Sequence, residues 1–295
     1  MRTYTRAFTT MAKNKKTIAV LSGKGGTGKT LLSVNLAAAA QKITGHSLYI
    51  DCDVEEPNGH LFFQPENTVT EKVCVKIPCA DEALCVGCRK CVDICNFNAL
   101  AFVKNRPMLF DEICHSCAGC VIVCPQDAMR EKDREIGHVT LGWSQGVRVV
   151  TGEINPGEAS GVPVIKRLLM ELPETGYTFI DCPPGSACIV MESIKEADFC
   201  VLAAEPTVFG AHNLAMVHEL VEVFNKPFGV LLNKCQEENP VGEYCAEKGI
   251  DILGRIPFDR QLGKINSQAQ IAARVREDYF RLFSSLLDSI DIRLK

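Results

Sequence analysis

Long hydrophobic runs are absent from this sequence of 295 residues, and so are long basic blocks. The longest apolar stretches, such as residues 199–204, are the size of a strand and fall far short of the ~20 residues that span a bilayer. Glycine (22) and proline (14) are at ordinary levels, which excludes a collagen-like chain, and 46% hydrophobic with 23% charged residues excludes a disordered one. The net charge of −4 gives no support to nucleic-acid binding. We therefore expect a globular protein without nucleic-acid partners or stable membrane insertion.

A secretory signal is also lacking, which matters because 16 residues are cysteine. Residues 1–16 carry basic side chains but no apolar segment, so a secreted disulfide scaffold does not explain the thiols. This acid-free, threonine-rich tail leaves open an organelle transit peptide or an alternative start at Met11. We expect a reducing, cytoplasmic location in which many of the cysteines ligate metal.

Strand and helix patterns alternate over most of the chain. Short β-branched and apolar runs that predict buried strands lie at residues 17–21, 47–50, 177–180, 199–204 and 228–232. Helix patterns at residues 31–42 and 211–224 lie among them. This alternation predicts an α/β fold, with a mostly parallel sheet covered by helices on both faces. From about 75 to 138 the pattern becomes short-period and cysteine-dense, which predicts a small inserted domain.

A glycine-rich loop joins the first predicted strand to the first predicted helix. Residues 22–30 are Ser-Gly-Lys-Gly-Gly-Thr-Gly-Lys-Thr, so that Gly23, four residues and Gly28-Lys29-Thr30 match the Walker A pattern. The glycines allow backbone N–H groups to point at phosphate oxygens, Lys29 supplies positive charge, and the Thr30 hydroxyl can ligate Mg²⁺. The predicted nucleotide-binding residues are Gly23, Lys24, Gly25, Gly26, Thr27, Gly28, Lys29 and Thr30.

Lys24 completes the pattern KGGxGKT, which resembles the deviant Walker A of the MinD/ParA/Mrp and nitrogenase-iron-protein class of P-loop ATPases. In that class the early lysine crosses a dimer interface to the nucleotide of the partner. The resemblance therefore implies ATP hydrolysis by an ATP-dependent homodimer, with Lys24, Lys29 and Asp53 as its catalytic residues.

Other segments resemble motifs of the same class. Residues 51–58 resemble switch I, which implies that Asp53 orients the attacking water and that Asp51 lies near Mg²⁺. The segment Asp181-Cys182-Pro183-Pro184-Gly185 resembles Walker B with switch II, which implies that Asp181 holds Mg²⁺ through water. Asn233 and the loop Pro257-Phe258-Asp259 are similar to adenine-contacting positions. Each aspartate has an alternative role as a strand-end or helix-capping residue, and Asn233 as a turn residue.

Eight cysteines form two copies of one spacing. Cys85-x₂-Cys88-x₂-Cys91-x₃-Cys95 is repeated 29 residues later as Cys114-x₂-Cys117-x₂-Cys120-x₃-Cys124-Pro125. This is the spacing of two-cluster bacterial ferredoxins, in which the fourth cysteine of each repeat ligates the cluster of the other repeat. We therefore predict one 4Fe-4S cluster on Cys85, Cys88, Cys91 and Cys124, and a second on Cys95, Cys114, Cys117 and Cys120. Paired zinc knuckles are the alternative, but they do not account for the third and fourth cysteines.

Two features of the cysteines depart from the patterns they resemble. Cys95 precedes Asn96 where ferredoxins usually have proline, so we expect one of the two clusters to be more exposed to solvent. The other eight cysteines form no C-x-x-C pair, and we expect most of them in the core. Cys188 follows Asp181 at the offset of a bridging-cluster cysteine in nitrogenase iron protein. No second cysteine is suitably placed, so a dimer-bridging cluster stays a minor alternative.

The C-terminal residues predict a helix with one apolar face, formed by Tyr279, Phe280, Leu282, Phe283, Leu286, Leu287 and Ile290. MinD itself ends in a basic amphipathic anchor, but residues 276–295 contain four basic and four acidic residues. Because the positive charge of such an anchor is missing, we expect this helix to dock on the ATPase core.

The whole pattern resembles a MinD-superfamily ATPase with an inserted ferredoxin domain. We predict a tail at 1–16, ATPase segments at 17–75 and 139–295, and an inserted ferredoxin-like domain at 76–138. The resemblance implies a nucleotide-dependent switch that delivers electrons to, or docks with, a redox or metallocluster-assembly partner. The alternatives are a spatial organiser of the MinD/ParA type with structural clusters, and an iron-sulfur cluster carrier.

Overall fold

The fold is given by a computed structural model that describes residues 15–235 and 240–294. The predicted tail, with its possible transit peptide or alternative start, lies outside the described residues except for Lys15 and Lys16. The strands are β1 (Lys15–Leu21), β2 (Ser47–Asp51), β3 (Glu66–Ala80), β4 (Leu100–Val103), β5 (Arg106–Leu109), β6 (Met129–Ser144), β7 (Val147–Ile154), β8 (Gly176–Asp181), β9 (Phe199–Ala204), β10 (Phe228–Cys235) and β11 (Ile252–Pro257). The helices are α1 (Lys29–Thr44), α2 (Gly59–Phe63), α3 (Lys90–Asp93), α4 (Gly119–Ile122), α5 (Val162–Leu169), α6 (Cys188–Ile194), α7 (Val208–Val223), α8 (Pro240–Lys248), α9 (Arg260–Ser267), α10 (Ala272–Val275) and α11 (Glu277–Arg293).

Nine strands form one sheet in the order β11-β10-β9-β1-β8-β2-β7-β6-β3. The seven strands from β11 to β7 pair in parallel, whereas β6 is antiparallel to β7 and β3 is antiparallel to β6. Alternate residues of β1 point to opposite faces, so Ile18 packs with α1 and α11 while Ala19 packs with α5 to α8. The prediction of an α/β fold with a mostly parallel, doubly covered sheet is confirmed.

The C-terminal helix α11 docks on the sheet, as its apolar face predicts. Tyr279, Phe283, Leu286, Leu287 and Ile290 are buried in the same core cluster as α1. The approach is close at β11, because a Cβ on Gly254 would lie 2.2 Å from a methyl carbon of Leu286. The apolar face of the helix is therefore covered by the protein's own core.

A long antiparallel ribbon carries the cysteine-rich unit. β3 and β6 pair from Glu66 opposite Trp143 to Ala80 opposite Met129, and residues 81–128 lie between their far ends. The predicted domain boundaries near 75 and 138 fall inside these two strands, which belong to the sheet and to the inserted unit at once. Those boundaries stay a prediction.

The repeat in the sequence is also a repeat in the backbone. The helices α3 and α4 begin 29 residues apart, as do the cysteines that they carry. Arg89 and Ala118, which precede the two helices, both adopt positive φ values of 68° and 58°. A buried core of Cys91, Leu100, Cys120 and Met129 lies between the halves, and the small hairpin β4–β5 follows the first repeat.

Candidate functional site

The glycine-rich loop connects β1 to α1 and depends on glycine at two close contacts. A Cβ on Gly23 would lie 2.2 Å from the carbonyl oxygen of Asn213, and one on Gly28 would lie 2.3 Å from Nδ2 of Asn233. Gly28 also has φ 96°, in the region that disfavours residues with a Cβ. The loop is therefore shaped for glycine, and Lys29 at the start of α1 is buried beneath it.

Asp181 lies at the carboxyl end of β8 with one free carboxylate oxygen. Its Oδ2 accepts a hydrogen bond from Oη of Tyr49 at 3.0 Å, while Oδ1 is buried and has no hydrogen-bond partner within residues 15–235 and 240–294. Burial raises the pKa of Asp181, and the neighbouring Thr30 hydroxyl and Lys29 ammonium oppose that rise. A buried carboxylate oxygen beside a hydroxyl and a lysine fits a hydrated Mg²⁺ next to a phosphate.

Asp51 and Asp53 both lie at this edge, but they have different surroundings. The Asp51 carboxylate accepts backbone N–H bonds from Asp53 at 3.2 Å, Asn58 at 3.1 Å and Gly59 at 2.8 Å. Asp51 thus shapes the turn that follows β2, as the alternative strand-end role predicts, while its place near Mg²⁺ stays a prediction. Burial raises the pKa of Asp53 to about 6, with the charge of Lys29 opposing and that of Asp181 adding to the rise. Asp53 therefore lies within electrostatic reach of Lys29 and Asp181.

Lys24 is held by a carboxylate that sequence reasoning did not single out. Its Nζ lies 3.2 Å from Oε2 of Glu205, the residue that directly follows β9. The other oxygen of Glu205 lies 2.6 Å from Nζ of Lys234, which also donates to the Gly26 carbonyl at 3.1 Å. Burial alone would raise the pKa of Glu205, but the two lysines hold it below its usual range. The one available signal was its position after a strand of the predicted sheet.

The predicted adenine-contacting residues lie at the ends of β10 and β11. Asn233 is buried, donates to the Thr27 carbonyl at 2.8 Å and accepts from the Lys234 N–H at 3.0 Å. The Nδ2 end of its side chain therefore holds the loop, while the Oδ1 end is used by the adjacent backbone of β10. In the segment Pro257-Phe258-Asp259, Phe258 is exposed, and its N–H donates to the Cys235 carbonyl at 3.2 Å.

Asp259 in that segment has a structural role in this structure. Its Oδ1 accepts the N–H groups of Gln261 and Leu262 and so caps α9, while Oδ2 accepts from Oη of Tyr279 at 2.6 Å. The adenine contact of residues 257–259 and of Asn233 stays a prediction.

The eight repeat cysteines surround two cavities in the inserted unit. One cavity is lined by Cys85, Cys88, Cys91 and Cys124, and the other by Cys95, Cys114, Cys117 and Cys120. In each set three cysteines come from one repeat and the fourth from the other, as the spacing predicts. Among the described residues, no three histidine, cysteine, aspartate or glutamate side chains lie close enough together to hold a single metal ion. Four thiols spread around a cavity suit a multi-iron cluster better than one metal ion.

The fourth cysteine of each repeat accepts hydrogen bonds from the backbone. Sγ of Cys95 accepts the Ala99 N–H at 3.3 Å. Burial works against the thiolate of Cys124, but N–H groups of Gln126, Met129 and Ala128 outweigh it and lower the pKa. Hydrogen bonds from backbone N–H groups favour the ionised sulfur that iron requires.

The two cavities differ at their mouths. Phe97 and His115 stack beside the second cavity, with ring centroids 3.9 Å apart and planes 15° apart. The positions related to them by the repeat, Gln126 and Val86, line the first cavity and form no such ring pair. Cys95, which lines the second cavity, is not followed by proline, and this cavity is lined by an aromatic ring pair that the first cavity does not have.

Half of the eight remaining cysteines are buried in the core, fewer than the majority expected from the sequence: Cys52, Cys182, Cys200 and Cys245. Burial raises the pKa of Cys52, Cys182 and Cys200, which keeps these thiols protonated. Cys188 is exposed at the start of α6. Among the described residues, no helix is long and apolar enough to span a membrane.

A glycine loop between strand and helix, a buried lysine and aspartates at strand ends define a P-loop nucleotide-binding α/β protein. The chain belongs to the family described as the CobQ/CobB/MinD/ParA nucleotide binding domain, whose model matches residues 18–271. The family model spans the inserted cysteine-rich unit as well as both segments of the sheet.

Sequence relatives and solved structures agree with this assignment. An uncharacterised protein of Methanocaldococcus jannaschii is 28% identical over 275 residues, covering 90% of this chain and 95% of its own. The iron-sulfur cluster carrier protein of the same organism is 26% identical over 268 residues, covering 84% of this chain and 74% of its own. Among solved structures, MinD of Pyrococcus furiosus has a TM-score of 0.60 at 16% identity, covering 94% of this chain and 98% of its own. MinD of Pyrococcus horikoshii complexed with Mg-ADP has a TM-score of 0.59 at 17% identity, covering 94% of this chain and 96% of its own.

Proposed function

We propose that the protein is a MinD-like ATPase that dimerises with ATP and carries two 4Fe-4S clusters. In this proposal the nucleotide state controls docking or electron transfer with a redox or metallocluster-assembly partner. The observation that carries it is the pair of four-cysteine cavities on a ribbon whose strands continue into the nucleotide-binding sheet.

ATP hydrolysis is assigned to the pocket at the carboxyl ends of the parallel strands. Thr30 and Asp181 are the residues that would hold Mg²⁺, and the ion would neutralise charge on the phosphates. Lys29 binds the phosphates, and Asp53 accepts a hydrogen bond from the attacking water and so orients it. Phosphoryl transfer needs positioning and charge neutralisation more than covalent help, and these side chains supply both.

Dimerisation is assigned to Lys24. More than a third of the Lys24 side-chain surface is exposed to solvent, and its ammonium group pairs with Glu205 of the same molecule. A lysine that is to reach the nucleotide of a second copy must first leave this pair. The Glu205 contact is therefore the resting position of Lys24, and the ATP-bound dimer its active one.

The clusters are assigned to the two cavities as the repeat predicts. Cys85, Cys88, Cys91 and Cys124 would hold one cluster, and the other four repeat cysteines would hold the second. When bound, each cluster accepts and releases one electron. The β3–β6 ribbon joins the cysteine-rich unit to the sheet, and many residues of the unit are exposed, which would leave surface for a partner.

The proposal is tested on protein purified without oxygen. Chemical analysis is expected to find about eight iron atoms per chain, and reduction should give the EPR signals of reduced 4Fe-4S clusters. Lys29→Ala should abolish ATP hydrolysis without loss of iron, whereas Lys24→Ala should abolish ATP-dependent dimerisation. Zinc instead of iron, or hydrolysis that survives Lys29→Ala, would contradict the proposal.

An iron-sulfur cluster carrier is the second candidate, because a relative with that name covers most of this chain. A carrier must release its cluster to an acceptor, whereas a ferredoxin-type unit retains it through many cycles of reduction. Incubation with an apo-ferredoxin acceptor distinguishes the two, since only a carrier transfers iron. A scaffold with structural clusters is distinguished by clusters that do not cycle reversibly.

A further inference from the structure

Tyr49 is a buried tyrosine beside the nucleotide pocket that the proposed chemistry does not use. It lies in the middle of β2 with no exposed surface, and its hydroxyl donates to Oδ2 of Asp181 at 3.0 Å. The hydroxyl is therefore a donor to the carboxylate that would hold Mg²⁺.

The same side chain supports the short helix after switch I. A Cβ on Gly59, the first residue of α2, would lie 2.2 Å from Oη of Tyr49, so the helix rests directly on the hydroxyl. At the other end of α2, the ring of Phe63 lies 4.9 Å from the Tyr49 ring, centroid to centroid. Asp51, which binds the N–H groups of Asn58 and Gly59, fixes the start of this helix as well.

The end of α2 is joined to β6. The carbonyl of Phe63 accepts a hydrogen bond from Oγ of Ser144, the last residue of β6. Arg274 contacts both residues of this junction. Its guanidinium donates to Oγ of Ser144 at 3.0 Å and to the Ser144 carbonyl at 2.8 Å, and it lies 5.2 Å from the centroid of the Phe63 ring. A shift of α2 therefore acts on the end of β6.

The far end of β6 lies in the cysteine-rich unit. Met129, the first residue of the strand, packs with Cys91 and Cys120, one cysteine from each cavity. Contacts thus run from Asp181 through Tyr49 and α2 to Ser144, and the strand β6 itself extends from there to Met129 beside both cluster cavities.

We propose that Tyr49 is a positioning residue that links the Mg²⁺-holding carboxylate of Asp181 to β6 and so to the cluster unit. The proposal rests on the proposed ATPase function. Asp181 is a weaker acceptor for the Tyr49 hydroxyl once its charge is shared with a cation, because hydrogen bonds to a full carboxylate are the stronger ones. With that bond weakened, α2 moves and the Ser144 end of β6 moves with it.

Hydrogen–deuterium exchange on the anaerobic, cluster-loaded protein tests this link. The peptides of interest cover α2 and residues 129–144. Their exchange is compared in three conditions: with Mg-ATP, with ATP in EDTA, and without nucleotide. In the wild type, Mg-ATP should change the exchange rate of these peptides by about tenfold, the effect of one charge-assisted hydrogen bond, while ATP in EDTA should not. Emission of Trp143, the sole tryptophan and the neighbour of Ser144, gives a second readout.

Two variants isolate the hydroxyl. Tyr49→Phe keeps the ring on Phe63 and removes the bond to Asp181, so the Mg-ATP effect on residues 129–144 should be lost while ATP still binds. Tyr177→Phe is the matched control, because Tyr177 also donates to a carboxylate, that of Asp291, and stacks on Phe179, but away from the nucleotide pocket. This control should keep the full effect. Phe63→Leu, which weakens the ring contact, should reduce the effect if Tyr49→Phe proves unstable.

The outcomes separate the link from the proposed function. An Mg-ATP effect of the same size in Tyr49→Phe and the wild type overturns the link and leaves the ATPase proposal standing. If the wild type binds ATP but the exchange rate of residues 129–144 does not change, the link is also overturned and the ATPase proposal stands. A wild type that binds no ATP overturns the proposed function, and the link with it.

Discussion

Releasing Lys24 from Glu205 should strengthen ATP-dependent dimerisation. Glu205→Gln removes the charge that holds Lys24 at 3.2 Å and Lys234 at 2.6 Å, while keeping the size of the side chain. The lysine side chains are 39% and 46% exposed, so solvent screens both pairs, and each contributes at most ~1 kcal/mol. Each protomer contributes one Lys24, and ~1 kcal/mol corresponds to about a fivefold change in an equilibrium constant, so freeing both lysines tightens the homodimer by about 25-fold at most.

The assay is sedimentation velocity with Mg-ATP over a range of protein concentrations. Glu205→Gln should lower the dimer dissociation constant, and raising the salt concentration should narrow its difference from the wild type, because salt screens the wild-type pair. Glu192→Gln is a matched control: its carboxylate is equally buried, 15% exposed, and lies 3.2 Å from Lys195. This control should dimerise like the wild type.

A weaker dimer in Glu205→Gln, with Glu192→Gln unchanged, would refute the reasoning. It would mean that Glu205 acts within the dimer itself and does not restrain Lys24 in the monomer. ATP affinity must be measured alongside, since Lys234 also contacts the loop through the Gly26 carbonyl.

Three further predictions concern the loop and the clusters. Asn233→Ala should lower the free energy of unfolding by about 1–3 kcal/mol and weaken ATP binding, because the buried Thr27 carbonyl of the loop loses its hydrogen-bond donor. Urea unfolding measures the first effect and ATP titration the second. Cys124→Ser should remove about four iron atoms per chain and spare the second cluster in iron analysis and EPR, whereas Cys188→Ser should remove none. Phe97→Ala should speed iron loss to a chelator from the second cluster only, by about three- to tenfold, while Gln126→Ala at the related position should have little effect. Equal iron loss in these last two variants would contradict a shielding role for the ring pair.

The sheet shows where sequence patterns suffice and where they fail. Five of the seven parallel strands are predicted, because strands covered on both faces are continuous apolar runs, as in residues 199–204. The parallel strands β7 and β11 were not predicted. The strands β3 and β6 were not predicted individually, since the ribbon is exposed over much of its length and its residues are largely polar and charged. Pairing along 15 and 16 residues, and not burial, defines those two strands.

The site shows the same division. The glycines of the loop and the spacing of the cysteines depend on neighbours along the chain, so they are visible in the sequence. The partners of Lys24, Asn233 and Asp181 are distant in sequence: Glu205, the Thr27 carbonyl and Tyr49. No local pattern connects such pairs, and Tyr49 looks like an ordinary residue of a buried strand.

By itself, the sequence determined the phosphate loop, the α/β class and the division of 16 cysteines into eight repeat residues and eight others. These features are local or periodic, and backbone conformation and ligand spacing dictate them directly. Only the tertiary structure decided that Tyr49 donates to Asp181, that Lys24 pairs with Glu205, and that one ribbon joins the two units. Each of these depends on which distant residues the packed sheet brings within contact distance, and packing is a property of the whole chain.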